Sequence, residues 1–148
     1  MGLFRKKRPD WDDGERCPRC RERVPENAVE CMMCGLALAP LCDRFLALWS
    51  EPDPDRRASE RGQLASEAIA VRDGYAAIEG RDELLGHIAA CQQFMPGVSL
   101  VRSGDVRYCQ GTAVHDWTAR AADGTPRGQG TNVVTLAPDG RIAGVVGV

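Results

Sequence analysis

Only two histidines occur in the 148 residues, aromatic side chains make up 5%, and no run of eighteen apolar residues is present. The last absence excludes a membrane-spanning helix. The opening MGLFRKKRP is basic but has no apolar core behind it, so it does not read as a secretory signal. Met-Gly begins a myristoylation pattern that fails at Lys6, where Ser or Thr is wanted. The compartment these absences imply is the cytoplasm.

Charge of one sign is lacking too. Residues 1–35 carry eight Lys/Arg against seven Asp/Glu, and residues 36–148 carry eleven against fourteen. Only Arg5, Lys6, Lys7 and Arg8 form a basic run, which reads as a solvated tail. With no basic face and no aromatic platform beside the cysteines, nucleic-acid binding is disfavoured.

Cysteine is what the chain does have: seven, four of them in CPRCRERVPENAVECMMCG, spaced C-x-x-C, ten residues, C-x-x-C. In a reducing compartment this spacing reads as a metal site before disulfides. Cys17, Cys20, Cys31 and Cys34 supply four thiolates, the tetrahedral set zinc prefers, and leave no open position for catalysis. A rubredoxin-like iron centre would use the same knuckles, but the short intervening segment suits a zinc ribbon better. Gly35 offers the positive φ that a knuckle turn uses, whereas Arg21 at the matching position makes the first knuckle look less regular. Met32 and Met33 are expected to pack within the hairpin.

Three segments follow: a charged lead-in over 1–16, the zinc ribbon over 17–35, and a folded α+β domain over 36–148. Leu38, Leu41, Cys42, Phe45, Leu48 and Trp49 recur at helical spacing. A second helix should open at Asp53-Pro54, a cap followed by proline at the first position, and run to about Ala68. A short extended piece lies in AIAVRDGYAAI, and a third helix starts after Gly80 with Leu84, Leu85, Ile88, Cys91 and Met95 on its apolar face. Strands are expected over 98–102, 106–120, 130–136 and 142–148, with turns at Ser103-Gly104-Asp105, Ala122-Asp123-Gly124 and Pro138-Asp139-Gly140. The long second strand should bend at Gly111. Antiparallel pairing of these strands, with the helices on one face, gives an α+β class with a curved sheet.

FLALWSEPDPDRR, GRDELLGHI…FMPGVSL and VHDWTARAADGTPRGQGTNVVTLAPDGRIAGVVGV, in this order, resemble the nuclear transport factor 2-like, or SnoaL-like, superfamily over residues 38–148. The resemblance implies a cone-shaped domain whose curved antiparallel sheet, packed with three helices, surrounds an apolar pocket. It implies a small apolar ligand or a homodimer formed through the sheet. The ribbon, outside the resemblance, is expected to contact a protein partner. The resemblance also implies an alternative, an isomerase, cyclase or dehydratase using an acid/base group inside the cone. His115 and Asp116 are the candidate acid/base residues; as strand neighbours, at most one faces inward. Trp117, Asn132 and Tyr108 are candidate ligand contacts. Where many relatives place an acid/base Asp, Asn132 stands here and cannot titrate. Trp49, Phe45 and Phe94 are expected in the core or pocket wall, and His87 at the edge of the third helix's apolar stripe.

Overall fold

The structure is a computed structural model that describes residues 16–24 and 30–148. Most of the charged lead-in, with Pro25, Ala28 and Val29 of the cysteine module, lies outside the described residues. Three helices, α1 (Leu38–Ala47), α2 (Pro54–Leu64) and α3 (Arg81–Phe94), pack against one sheet. Its strands are β1 (Ala65–Arg72), β2 (Ala77–Glu79), β3 (Ser99–Cys109), β4 (Thr112–Arg120), β5 (Pro126–Leu136) and β6 (Ile142–Gly147), in spatial order β2-β1-β6-β5-β4-β3.

The helices start where local chemistry starts them. Asp53 accepts the N–H groups of Asp55 and Arg56 at 2.9 and 3.4 Å, and Pro54, lacking an N–H, opens α2 at no hydrogen-bonding cost. Gly80, at φ +86°, turns the chain into α3 in a conformation that favours glycine. Leu38, Leu41, Cys42, Phe45 and Leu46 bury one face of α1, and Phe45 meets Trp49 edge-on at 5.1 Å between ring centroids. Each such fully buried apolar side chain contributes roughly 1.5–3 kcal/mol. The Gln92 amide donates to the carbonyls of Trp49 and Glu51, tying the end of α3 to the α1–α2 junction.

Several boundaries differ from the sequence expectation. The second helix stops at Leu64 rather than near Ala68, because β1 begins at Ala65 and pairs with β6. That pairing is parallel, the one such pair among the described strands, so the sheet is mixed. Ser103-Gly104-Asp105 is no turn but a register shift inside β3. The hairpin falls instead at Gln110-Gly111, whose φ values of +51° and +83° are those of a two-residue primed turn. Gly111 thus ends a strand rather than bending one.

Alternation along the strands separates two faces. Val106, Tyr108, Ala113, His115, Ala119, Asn132, Val134, Leu136, Val145, Ile69 and Val71 are buried, while Val101 and Val146 on the other face are each 47% exposed. Phe94 was expected inside but is exposed at the end of α3. Around the exposed turn that follows, Pro96-Gly97, the chain has already left the helix.

Candidate functional site

The inner face of β4 carries Ala113, His115, Trp117 and Ala119, and that of β5 carries Gly130, Asn132, Val134 and Leu136. His115 lies directly opposite Asn132, and Trp117 opposite Gly130. Side chains facing each other across such a pair have Cβ atoms about 4.5–5.5 Å apart. The sheet thereby brings three sequence-predicted residues, His115, Trp117 and Asn132, into one polar group on an otherwise apolar wall.

Their hydrogen bonds define what the group offers. The Trp117 indole N–H donates to Asn132 Oδ1 at 3.2 Å, which turns the Asn132 amide nitrogen outward from that contact as a donor. His115 is fully buried, with Nδ1 3.4 Å from the Asp116 carbonyl oxygen. A carbonyl only accepts, so Nδ1 carries the proton and Nε2 is left as an acceptor, buried without a partner. Burial pushes the imidazole below its ordinary value, because charging it in this wall is unfavourable. An acceptor at His115 and a donor at Asn132 together complement a hydroxyl or a carbonyl-bearing small molecule.

Asp116 stands apart from this group. It is exposed on the other face of β4, where Thr131 Oγ1 donates to it at 2.6 Å. Tyr108 is also separated. It is buried opposite Ala113, and its hydroxyl accepts the Gly111 N–H at 2.9 Å, close to the cysteine module.

Sequence reasoning passed over Arg102, which faces inward opposite Trp117 and pairs with Asp43 of α1 through two nitrogens, at 2.7 and 3.3 Å. An inward arginine in a strand looks like any exposed one until its helical partner is known. His87, placed at a boundary, has Nε2 3.4 Å from Cys91 Sγ, one turn along α3.

The second centre is the cysteine module. The Sγ atoms of Cys17, Cys20, Cys31 and Cys34 lie within 4.8 Å of one another, with Cys17–Cys34 at 3.5 Å and Cys20–Cys31 at 3.6 Å. Ligands about 2.3 Å from one tetrahedral ion stand roughly 3.8 Å apart, so the sulfurs already form a donor set for a single metal ion. The two knuckles match. Arg21 N–H donates to the Cys17 carbonyl as Gly35 N–H does to Cys31, both at 2.9 Å. Arg21 takes φ +66° where Gly35 takes +75°. The first knuckle is therefore as regular as the second, with the arginine held in a left-handed conformation. The Leu36 N–H lowers the Cys34 thiol, and burial raises that of Cys17.

The module is joined to the cone rather than hung from it. Cys17, Cys31 and Leu36 share a core with Leu38 and Tyr108, and the Arg19 side chain lies over Gly140. A cleft of about 250 Å³ runs along this seam, between Arg16, Pro18 and Arg21 on one side and Gln110, Leu136 and Pro138 on the other. Met32 and Met33 do not pack inside the hairpin: they are 88% and 70% exposed, because knuckle residues between two ligands point away from the metal.

A helix-lined, curved sheet with polar groups on its inner wall defines the nuclear transport factor 2-like class. Within it, a SnoaL-like family protein of Agrobacterium tumefaciens strain C58, provisionally assigned as an isomerase, is 31% identical, with 74% of this chain and 93% of that one covered at a TM-score of 0.71. The chain belongs to the SnoaL-like family. A nuclear transport factor 2-like protein of unknown function from Exiguobacterium sp. 255-15 shares the fold at 21% identity, 73% and 96% coverage and a TM-score of 0.59. A Sinorhizobium meliloti protein, provisionally assigned as a polyketide cyclase, does so at 19% identity, 74% and 94% coverage and 0.56. No protein-family model and no curated protein matches the sequence. No helix among the described residues is long and apolar enough to cross a membrane.

Proposed function

We propose that this protein binds a small, largely apolar molecule carrying a hydroxyl or carbonyl in its cone, and carries a structural zinc ion in its ribbon. The supporting observation is the make-up of the inner wall. The inward positions of β4 and β5 hold His115, Trp117 and Asn132 but no carboxylate, so they can orient a ligand without a strong acid/base pair. Native mass spectrometry of the purified full chain tests this. A small-molecule adduct in the wild type that is lost in Asn132→Leu is expected; an adduct unchanged by that substitution argues against it.

Zinc suits a closed set of four thiolates at these separations. Binding of the ion would supply the folding free energy of a module too small for its own core, on the order of 10 kcal/mol. Met32 and Met33, exposed on the second knuckle, give the ribbon an adaptable apolar tip for a protein partner. Val146, Val133 and Val114 line up across the outer face of the sheet, which supports a homodimer formed through that face.

A second reading is supported by the unpartnered Nε2 of His115. A buried neutral imidazole with a free lone pair is a general base, which fits isomerase, cyclase or dehydratase chemistry. In that reading His115 alone serves, since Asp116 faces away. Turnover abolished by His115→Gln but unaffected by Asp116→Asn would favour it.

A further inference from the structure

Arg57 on α2 is only 8% exposed, and its side chain has no hydrogen-bond or ion-pair partner among the described residues. A guanidinium cannot shed its proton to escape burial, as lysine or histidine can. Buried charges are therefore found paired, and an unpaired one is costly. Arg61 follows one turn later on the same face of α2, in line with the fully buried Leu64. Like charges at this spacing, with Cβ atoms about 5–6 Å apart, repel each other unless an anion serves both.

Three guanidinium nitrogens in this region are buried without a partner: Nε of Arg57, Nε of Arg61 and Nη2 of Arg81. Arg81 opens α3 and reaches back to the end of α2, where its Nε donates to the Ala65 carbonyl at 2.9 Å. Arg61 bridges the same seam, pairing with Asp82 at 3.0 Å. Three neighbouring carboxylates are engaged elsewhere. Glu60 takes Arg44 through both oxygens, Glu83 accepts the Glu79 N–H, and Asp53 caps α2 and lies 3.7 Å from Arg56. None of them meets Arg57.

We propose that Arg57 and Arg61, with Arg81 farther along the same seam, form a binding site for a small oxyanion, a phosphate or carboxylate group, between α2 and the first turn of α3. The planar fork of a guanidinium matches two oxygens of either group, and lysine would not reproduce that geometry. The site shares no residue with the His115–Asn132 group and does not depend on how that group is used. It gives the protein a second ligand contact, of opposite chemical character to the apolar wall.

The test uses the full chain with zinc bound. Inorganic phosphate and succinate are titrated separately at constant ionic strength set with KCl, and melting temperature and calorimetric binding are followed. At least one anion should raise the melting temperature saturably, by about 3 °C at tenfold its Kd. Phosphate alone acting points to a phosphorylated ligand, and succinate acting points to a carboxylate. Arg57→Lys should weaken binding about tenfold or more and Arg57→Gln should abolish the response, the fork being the recognition element. In KCl alone Arg57→Met should melt above the wild type, since an apolar side chain replaces a buried Nε that has no partner. If Arg57→Gln does not fold, Arg61→Gln carries the test and should reduce the response. No saturable effect of either anion on the wild type overturns the proposal, as does a full response in Arg57→Gln or, where it is used instead, in Arg61→Gln.

Discussion

Trp117 covers Gly130 so closely that a Cβ at position 130 would stand 2.7 Å from its ring. The same Cβ would meet the Val148 carbonyl oxygen at 2.9 Å, a backbone atom that cannot give way, so the Trp117 ring must move instead. Glycine here is what lets the indole pack against β5 and donate to Asn132. Gly130→Ala should therefore displace Trp117, cost about 1–3 kcal/mol in urea unfolding, and weaken ligand binding in the cone. Unchanged stability together with an unchanged Trp117 indole N–H resonance would show that the contact does not hold the site.

Metal content is the next test. Elemental analysis should find one zinc ion per chain, and Cys31→Ser should lose it along with the order of the ribbon. Because Cys17, Cys31 and Leu36 share a core with Leu38 and Tyr108, chelation should also lower the melting temperature of the cone. A chelated chain with unaltered melting would show that ribbon and cone are energetically separate.

Arg21 holds φ +66°, a region that costs an L-residue about 1–2 kcal/mol. Arg21→Gly should relieve that strain and make the zinc more resistant to a competing chelator. The Arg21 side chain also borders the seam cleft, so a decrease in zinc retention would mean that its contacts there outweigh the strain.

Helix starts were legible because their signals are local. Asp53-Pro54 and Gly80 fix α2 and α3 through backbone hydrogen bonding and φ alone. Boundaries set by long-range pairing leave no such local mark. Nothing within ASEA says that Ala65 will pair with Ile142 in parallel, so α2 looks longer than it is. Gln110 conceals its turn because glutamine rarely takes a positive φ, and the β3–β4 hairpin was read as one long strand. At the site, alternation predicted that His115 and Asp116 oppose each other, but only the register with β5 shows which of them joins Asn132. Arg57 was invisible because one arginine among three in a charged helix reads as solvated until its burial is known.

His115 gives the stability a pH dependence with a definite sign. Burial holds its folded value below the ordinary 6.5, so between the two values the unfolded chain binds more protons than the folded one. The stability it contributes is complete above about pH 6.5 and is lost as pH falls toward the depressed folded value. His115→Phe should remove that component, so the difference in unfolding free energy between variant and wild type should drift in the variant's favour from pH 7.5 to 5.5. Taking the difference cancels the acid sensitivity of the thiolates, which is common to both proteins. A pH-independent difference would place His115 in contact with water or an anion.

If the cone wall of His115, Trp117 and Asn132 receives a small ligand, the Trp117 indole N–H resonance reports on it most directly. The full zinc-bound chain is titrated with a panel of neutral aromatic alcohols and ketones while that resonance, assigned with Trp117→Phe, is followed by NMR. At least one compound should shift it saturably with one-to-one stoichiometry, and Asn132→Leu should abolish the effect. If no member of the panel moves the resonance, or if the compounds that bind shift other resonances alone, the wall is not the binding site.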